Sequence, residues 1–200
     1  MPVLGITGGI ATGKTLFTEC LAGLFPELTV FDADACARQL TASDPAILTA
    51  IREEFGPSVF DDTGALQRAT LRSIVFADPE KRKALEAILH PAIRRAWLDL
   101  ARTMRGPDGG HWMAVDIPLL FETSAESHFD KIVVVACSAK TQFGRLVDGR
   151  HLPPGLAESM IASQLPLAEK LDRADFAVWN DGAREALELQ ARLLSNHLFS

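Results

Sequence analysis

The feature that most constrains the fold is the segment G-G-I-A-T-G-K-T at residues 8–15. It matches the pattern G-x-x-x-x-G-K-[ST] at every fixed position, and this pattern binds the phosphates of a nucleoside triphosphate. Such a loop wraps its backbone N–H groups around phosphate oxygens, which requires glycine where a Cβ would clash or φ turns positive. Lys14 then reaches the β- and γ-phosphates, and the Thr15 hydroxyl is placed to bind Mg²⁺.

The sequence on both sides of this phosphate loop supports the match. Residues 3–7 form a short apolar run suited to a buried strand, and Leu16, Leu21 and Leu24 recur at helical spacing. The loop therefore leads into a helix whose N-terminal dipole favours an anion. The predicted ATP contacts are Gly9, Ile10, Ala11, Thr12, Gly13, Lys14, Thr15 and Leu16.

Length and composition favour one globular α/β domain. The chain has 200 residues, of which 48% are hydrophobic and 23% charged, so it has ample material for a single core. Its formal net charge of −6 argues against non-specific binding to nucleic acid or to an anionic membrane.

The cysteines and the N-terminal residues favour a cytoplasmic protein. Cys20, Cys36 and Cys137 are odd in number and form no C-x-x-C pair, so we expect buried, reduced thiols. The first residues lead directly into the predicted strand without a basic region or cleavage site, and no apolar run approaches the ~18 residues of a membrane helix.

Two predicted strands end in acidic residues. Residues 28–31 form a short strand followed by Asp32 and Asp34, and residues 112–115 form an apolar run that ends in Asp116. Acidic residues after a parallel strand point into the crevice where α/β sheets bind ligands. Asp32 and Asp34 are therefore candidates for base or metal chemistry, unless one of them caps the helix predicted over 35–40. Asp116 has the Walker-B arrangement, in which a carboxylate helps to hold Mg²⁺.

The middle of the chain has helical periodicity and no convincing strand. This pattern predicts a helical insertion over about 45–104, followed by a surface loop at residues 105–110. Most of the basic residues in the insertion are expected on solvated helix faces. Arg68 and Arg72 lie one helical turn apart, so they could share an anion.

The last part of the chain combines two further strands with a possible lid. Residues 132–136 and 176–179 are predicted strands, and a helix is predicted over 183–198. Between the strands, a helix from Ala139 leads to Arg145 and Arg150, and a further helix runs to about Leu171. This segment, about 140–166, is typical of a mobile lid over a triphosphate, although an exposed loop with incidental arginines would show the same composition.

With these residues in view, the sequence resembles the dephospho-coenzyme A kinase family over nearly its whole length. Much of the likeness lies in segments more specific than the phosphate loop, which many kinases share. It is carried by G-I-T-G-G-I at 5–10, G-K-T at 13–15, D-A-D at 32–34, L-Q-R at 66–68, Leu71, Arg72, Val75, Phe76, A-I-L-H-P at 87–91, D-I-P-L-L-F-E at 116–122, Gln142, Arg145, Ser163, Gln164, Lys170, Ala174, Asp175 and Asn180.

The resemblance implies a three-layer α/β/α P-loop fold with a five-stranded parallel sheet, a helical coenzyme-binding region and a small lid, in a single domain over 1–200. It implies transfer of the ATP γ-phosphate to the ribose 3′-hydroxyl of dephospho-coenzyme A, the last step in making coenzyme A, by a monomer or weak homo-oligomer. Asp34, Lys14 and Arg145 would be catalytic, Asn180 would contact the nucleotide, and Thr15 and Asp116 would serve the metal. The implied substrate residues are Asp32, Arg68, Arg72, His90, Pro118, Leu119 and Glu122.

The chain departs from the family pattern at two places. Ala11 replaces a loop glycine, so we expect its φ to be one that alanine tolerates. The family's second lid arginine falls on Gly149, and the arginine comes one residue later, as Arg150. We therefore expect Arg145 to contact the transferring phosphate and Arg150 to be auxiliary.

Three other functions are compatible with parts of the sequence. A kinase with another small-molecule acceptor shares the phosphate loop. A GTP-dependent switch is disfavoured, because no N-K-x-D motif occurs and no apolar strand precedes D-D-T-G at 61–64. A non-catalytic ATP-binding regulator would have no use for Asp34.

Overall fold

The computed structural model describes residues 2–104 and 111–198. The chain divides into two compact units. The first, here called the sheet unit, runs to Phe31 and resumes at Met104, and the second, the helical unit, is Asp32–Thr103. The surface loop predicted at 105–110 lies outside the described residues.

A five-stranded parallel sheet in the order β2-β3-β1-β4-β5 confirms the predicted fold class. Strand β1 is central and all five of its residues are buried, so both of its faces are covered. Its residue Ile6 pairs with Asp116 on one side and with Val133 on the other. The strands are β1 (Val3–Thr7), β2 (Thr29–Asp32), β3 (Met113–Asp116), β4 (Lys131–Ala136) and β5 (Phe176–Trp179).

Helices account for most of the remaining chain. In the sheet unit, the apolar faces of the first and last helices pack together through residues such as Leu21 and Leu187. No helix within the described ranges is long and apolar enough to cross a membrane. The helices are α1 (Lys14–Leu24), α2 (Ala33–Ser43), α3 (Pro45–Phe55), α4 (Arg68–Ala77), α5 (Pro79–Thr103), α6 (Ala139–Val147), α7 (Pro154–Ala162), α8 (Leu167–Asp172) and α9 (Arg184–Leu198), with short 3₁₀ turns at Pro57–Val59 and Glu126–His128.

The helical unit has its own core. Its centre is formed by Ile47, Ile51 and Phe55 of α3 with Leu71 of α4, which repeat at the helical spacing seen in the sequence. The prediction of helices without a strand over 45–103 is confirmed, apart from one antiparallel bridge between Phe60 and Leu66.

Two predicted helix boundaries were wrong. Helix α2 begins at Ala33 rather than at 35, because Asp32 is its N-cap. The single helix expected up to Leu171 is two helices, with a break over 163–166. Proline disfavours helical geometry in the residue before it and lacks an N–H, so α7 cannot continue through Pro166, which is instead the N-cap of α8.

The cysteines are all free, as expected, but they differ in burial. Cys20 and Cys137 are buried, whereas Cys36 is only partly buried, so the expectation of three buried thiols was wrong for Cys36. Burial raises the pKa of each thiol, because the thiolate is disfavoured away from water.

Candidate active site

Two glycines allow the phosphate loop to pass between β1 and α1. Gly8 has φ +152°, and a Cβ there would lie 2.2 Å from the carbonyl oxygen of Val135. Gly13 has φ +95°, and a Cβ there would lie 2.1 Å from Nδ2 of Asn180. Any other residue at either position would clash and would be strained, so the motif's glycines have the structural cause that the sequence predicted.

Ala11 occupies a backbone conformation that favours glycine. Its φ is 59°, in the left-handed region, so the expectation that alanine would find a suitable φ here was wrong. An L-residue in this region costs about 1 kcal/mol because its Cβ approaches the carbonyl oxygen. The neighbouring contacts of the loop must offset this strain.

The loop ends where α1 begins, at Lys14. No side chain caps this helix and its first turn has no acidic residue, so nothing on the helix itself opposes an anion at its N-terminus. The Lys14 ammonium donates to the carbonyl oxygens of Gly8 (3.3 Å) and Gly9 (3.4 Å), and therefore lies over the loop. Thr15 is exposed in the first turn, while Leu16 packs against the sheet core.

Arg145 of α6 binds backbone carbonyl oxygens of the phosphate loop. Its guanidinium donates to the carbonyl oxygens of Ala11 (3.2 Å), Thr12 (3.1 Å) and Asn180 (2.8 Å). The buried Asn180 side chain adds a bond from Nδ2 to the Thr12 carbonyl oxygen (2.8 Å). Two predicted nucleotide-site residues thus bind the loop backbone, whereas Arg150 is exposed beyond the end of α6.

Two glutamines bind the loop from further along the chain. Gln142 of α6 donates from Nε2 to the Ile10 carbonyl oxygen (2.8 Å), and the Oε1 of Gln164 accepts from the Ile10 N–H (2.7 Å). Gln164 lies in the break between α7 and α8. Sequence reasoning used both glutamines only as points of family likeness and gave neither a role.

The end of β3 lies beside the start of the loop. Asp116 pairs with Ile6, and the next residue, Ile117, donates its N–H to the Ile6 carbonyl oxygen (2.9 Å). The Thr7 hydroxyl donates to the carbonyl oxygen of Pro118 (3.3 Å). The structure therefore brings Asp116 to the same edge as the phosphate loop.

Glu122 forms an ion pair that the sequence did not predict. Its Oε1 lies 2.7 Å from Nζ of Lys170, whose side chain is only 1% exposed, and also accepts the N–H of Leu165 (2.9 Å). The side chain of Glu122 is 19% exposed. Lys170 lies on a six-residue helix whose periodicity gave no sign that this lysine faces inward. Pro118 and Leu119 are both half-buried.

In the helical unit, Asp32 and Asp34 have different surroundings. Oδ1 of Asp32 accepts the N–H of Ala35 (2.8 Å), which makes Asp32 the helix cap foreseen as an alternative. Its other oxygen lies 3.7 Å from Arg38. Asp34 lies in the first turn of α2 and is exposed, as is Asp32, so the two carboxylates differ in their contacts and not in their exposure.

Arg68 and Arg72 line an apolar groove on the helical unit. The groove encloses about 280 Å³ and its walls are mainly Leu71, Val75 and Phe76. Both arginines are exposed, and Arg68 donates to the Arg38 carbonyl oxygen. This face can accommodate a ligand with an apolar arm and an anionic group.

His90 lines a second cavity of the helical unit, of about 330 Å³. Arg94, Arg95 and Arg102 of the same helix also line it. Burial lowers the pKa of the His90 imidazole, and Arg94 adds to this effect while Glu86 opposes it. The neutral imidazole can therefore donate or accept a hydrogen bond at neutral pH.

Within residues 2–104 and 111–198, no cluster of three or more His, Cys, Asp or Glu side chains could hold a metal ion. Such a cluster is not needed for Mg²⁺ in a kinase, because the ion keeps several waters and binds through substrate phosphates with one or two protein ligands. Thr15 and Asp116 stay the residues predicted to serve such an ion.

Comparison with known proteins gives consistent matches. The family model described as dephospho-CoA kinase matches residues 2–185. A dephospho-CoA kinase from Anaeromyxobacter dehalogenans is 43% identical over 98% of this chain and 92% of its own length. Among solved structures, a Thermus thermophilus protein is 29% identical with a TM-score of 0.80, covering 100% of this chain and 98% of its own. The dephospho-CoA kinase from Campylobacter jejuni, at 23% identity and a TM-score of 0.63, covers 98% of this chain and 96% of its own and shows the same fold.

Proposed function

The chain belongs to the dephospho-CoA kinase family, and we propose that it transfers the γ-phosphate of ATP to the ribose 3′-hydroxyl of dephospho-coenzyme A. The products are ADP and coenzyme A. We place this activity in the cytoplasm and assign it to a monomer or weak homo-oligomer. The observation that carries the proposal is the phosphate loop, bent at Gly8 and Gly13 and leading into an uncapped helix at Lys14.

The phosphate side of the reaction rests on electrostatics. In phosphoryl transfer the protein mainly positions the groups and stabilises charge, with little covalent chemistry. Lys14 and the N-terminus of α1 would bind the β- and γ-phosphates, and Thr15 and Asp116 would hold Mg²⁺, which neutralises charge on the phosphate oxygens when bound. The N–H groups of Ile10 and Thr12 already donate within the protein, to Gln164 (2.7 Å) and to the Gly9 carbonyl oxygen (3.4 Å), so other N–H groups of the loop would bind the phosphates.

Asp34 is the proposed general base. It would accept the proton of the 3′-hydroxyl as that oxygen bonds to the γ-phosphorus and the bond to the leaving ADP oxygen breaks. The choice between the two acidic residues follows from the contacts of Asp32, whose carboxylate caps α2 and lies 3.7 Å from Arg38.

Arg145 rather than Arg150 is the proposed arginine of the nucleotide site. Its guanidinium binds two loop carbonyl oxygens, so it can both orient the loop and stabilise charge close to it. Contact of Arg145 with the transferring phosphate itself stays a prediction. Asn180, which binds the same loop carbonyl, shares the orienting role.

The acceptor residues are proposed from chemistry and family likeness together. Dephospho-coenzyme A combines a long, weakly polar arm with a pyrophosphate, and the groove lined by Arg68 and Arg72 offers apolar walls with two cations. His90, Asp32, Pro118, Leu119 and Glu122 are assigned to the acceptor by the resemblance. The contacts of Glu122 with Lys170 and Leu165 also give it a role in holding its own segment in place.

The test is a comparison of acceptors with Mg·ATP. Purified protein should phosphorylate dephospho-coenzyme A with a kcat/KM far above that for adenosine, AMP or shikimate, and mass spectrometry should locate the new phosphate on the 3′-oxygen. Lys14→Ala should lose activity by about 10³-fold with every acceptor, because the phosphate charge is common to all. Faster turnover of another acceptor would overturn the substrate assignment.

A further inference from the structure

We propose that Gln142 and Gln164 are a two-sided clamp on Ile10 that positions the phosphate loop for ATP. The clamp concerns nucleotide binding and rests on the proposed function only in taking ATP as the ligand. Its members are positioning residues, since their contacts are to the loop backbone.

The clamp satisfies both backbone polar groups of one residue from two distant parts of the chain. Gln142 lies 132 positions after Ile10 and donates to its carbonyl oxygen at 2.8 Å. Gln164 lies 154 positions after it and accepts its N–H at 2.7 Å. The N–H of Ile10 belongs to the peptide unit before this residue, and its carbonyl belongs to the peptide unit after it. Because both groups are hydrogen-bonded, the backbone orientation at Ile10 is determined.

The environment also determines which amide atom faces the loop. A backbone carbonyl can only accept, so it requires the NH₂ of Gln142, and a backbone N–H can only donate, so it requires the carbonyl oxygen of Gln164. One glutamine therefore donates a hydrogen bond to Ile10 and the other accepts one from it. A glutamate could replace Gln164, because a carboxylate accepts, but could not replace Gln142, because an ionised carboxylate has no hydrogen to donate.

The neighbours of Ile10 show why the loop needs such a clamp. Ala11, the next residue, is held at φ 59°, a conformation that alanine would leave if the loop were free. On the other side, a Cβ at Gly9 would lie 2.7 Å from Nε2 of Gln142, so glycine there leaves the space that the amide occupies. The loop and the first glutamine are thus fitted to each other.

A separate set of contacts holds Gln164 in its place. The N–H groups of Ser163 and Gln164 still bond to carbonyl oxygens of α7, and the N–H of Leu165, just before Pro166, donates to Glu122 at 2.9 Å. Glu122 is paired with the buried Lys170 at 2.7 Å. The segment that carries Gln164 is therefore anchored independently of the loop.

The experiment compares glutamate and methionine at both positions. Gln142→Glu, Gln142→Met and Gln164→Met each remove the hydrogen bond to Ile10 and should raise the Kd for Mg·ATP by about tenfold. Gln164→Glu keeps an acceptor, so its loss should be at least about threefold smaller than that of Gln164→Met, even though it adds a negative charge near the phosphates. The KM for the acceptor should change less than the KM for ATP in all four variants.

Amide hydrogen exchange at Ile10 gives a second readout that does not depend on activity. The N–H of Ile10 should exchange faster in Gln164→Met than in the wild type, and Gln164→Glu should restore its protection. Melting temperatures of the four variants identify any that fail to fold, and the exchange of amides in α9 provides an internal reference.

The outcomes separate the clamp from the proposed function. If both glutamate variants lose ATP affinity equally and both methionine variants keep it, added charge explains the result and the clamp is overturned. If the variants follow the expected order but dephospho-coenzyme A is not phosphorylated, the clamp stands and the acceptor assignment fails. Wild-type ATP affinity in all four variants, with activity present, would also overturn the clamp.

Discussion

The two units of this protein present their predicted functional groups in opposite ways. In the sheet unit, the phosphate loop is bound by Arg145, Asn180, Gln142 and Gln164, all through backbone atoms of the loop. In the helical unit, Asp34, Arg68 and Arg72 are exposed side chains on helices, whereas His90 is partly buried. Binding a phosphate with backbone N–H groups requires a rigid loop, whereas side chains that bind an acceptor can adjust as it arrives.

This contrast predicts that substitutions in the two units affect different kinetic constants. Changes around the loop should act on ATP affinity or on protein stability. Changes on the exposed helix faces should act on the acceptor or on the chemical step.

The largest effect is expected at Asp34. Asp34→Asn removes the charge of the proposed base at constant size and should lower kcat by about 10²- to 10⁴-fold with little change in ATP affinity. The matched control is Asp32→Asn, which keeps a good helix cap because asparagine caps as well as aspartate. A larger fall in kcat for Asp32→Asn would exchange the roles of the two carboxylates.

Arg145 should come next. Arg145→Ala removes the cation that binds three backbone carbonyl oxygens near the loop, and should lower kcat/KM for ATP by about 10³-fold. Arg150→Ala, at an exposed position past α6, should stay within about tenfold of the wild type. Steady-state kinetics with varied ATP measures both effects. A large loss of activity in Arg150→Ala with nearly normal activity in Arg145→Ala would assign the phosphate contact to Arg150.

Two ion pairs of nearly equal length, Lys170–Glu122 (2.7 Å) and Lys81–Glu54 (2.8 Å), test the effect of burial on ion-pair strength. Lys170→Met leaves Glu122 without its buried partner and should lower the free energy of unfolding by about 3 kcal/mol. Lys81→Met breaks an ion pair with Glu54 in the helical unit, where both side chains are over one third exposed, and should cost less than about 1 kcal/mol. Urea titration measures both, and equal losses would show that burial does not decide the strength of these pairs.

The strain at Ala11 gives a smaller, stabilising prediction. Ala11→Gly removes the left-handed penalty and should raise the free energy of unfolding by about 1 kcal/mol. In the helical unit, Gly64 also has a positive φ of +84°, and the nearest atom to a Cβ there would be Nη2 of Arg52 at 4.0 Å, so Gly64→Ala should lower the free energy of unfolding by about the same amount. Loss of stability in Ala11→Gly would mean that the alanine methyl makes contacts worth more than the strain.

The smallest effect concerns two exposed carboxylates with lowered pKa values. A hydrogen bond from the Thr63 hydroxyl is the main cause for Asp61 in the helical unit, and one from the Thr141 hydroxyl is the main cause for Asp181 in the sheet unit. Because each folded-state pKa lies below the unfolded value of about 3.9, each contribution is complete above that pH and is lost as pH falls through the folded pKa. Urea midpoints between pH 5 and 2 should fall less steeply in Asp61→Asn and Asp181→Asn than in the wild type. An unchanged slope would contradict the shifts.

Much of the site could be predicted because its signals are local. The glycines at 8 and 13 have positive φ and lie close to Val135 and Asn180, and the acidic residues at 32, 34 and 116 come at or after the ends of apolar runs that form strands. Lys170 could not be predicted in this way, because a lysine on a short helix has no periodic signature that distinguishes a buried from a solvated position. Pro166 was the available sign that the chain leaves the helix near Gln164, and it was overlooked.

The sequence by itself determined the order of elements, the bends of the phosphate loop and the helical character of residues 45–103. These depend on φ preferences and on hydrophobic periods of two and 3.6 residues, which act between near neighbours. Only the tertiary structure decided the sheet order β2-β3-β1-β4-β5, the capping role of Asp32 and the binding of Ile10 by residues more than 130 positions away. The sheet order and the clamp depend on which distant surfaces meet when the core is buried, and the cap depends on where the helix begins. Neither an amide nor a carboxylate shows in the sequence which backbone atom it will bind.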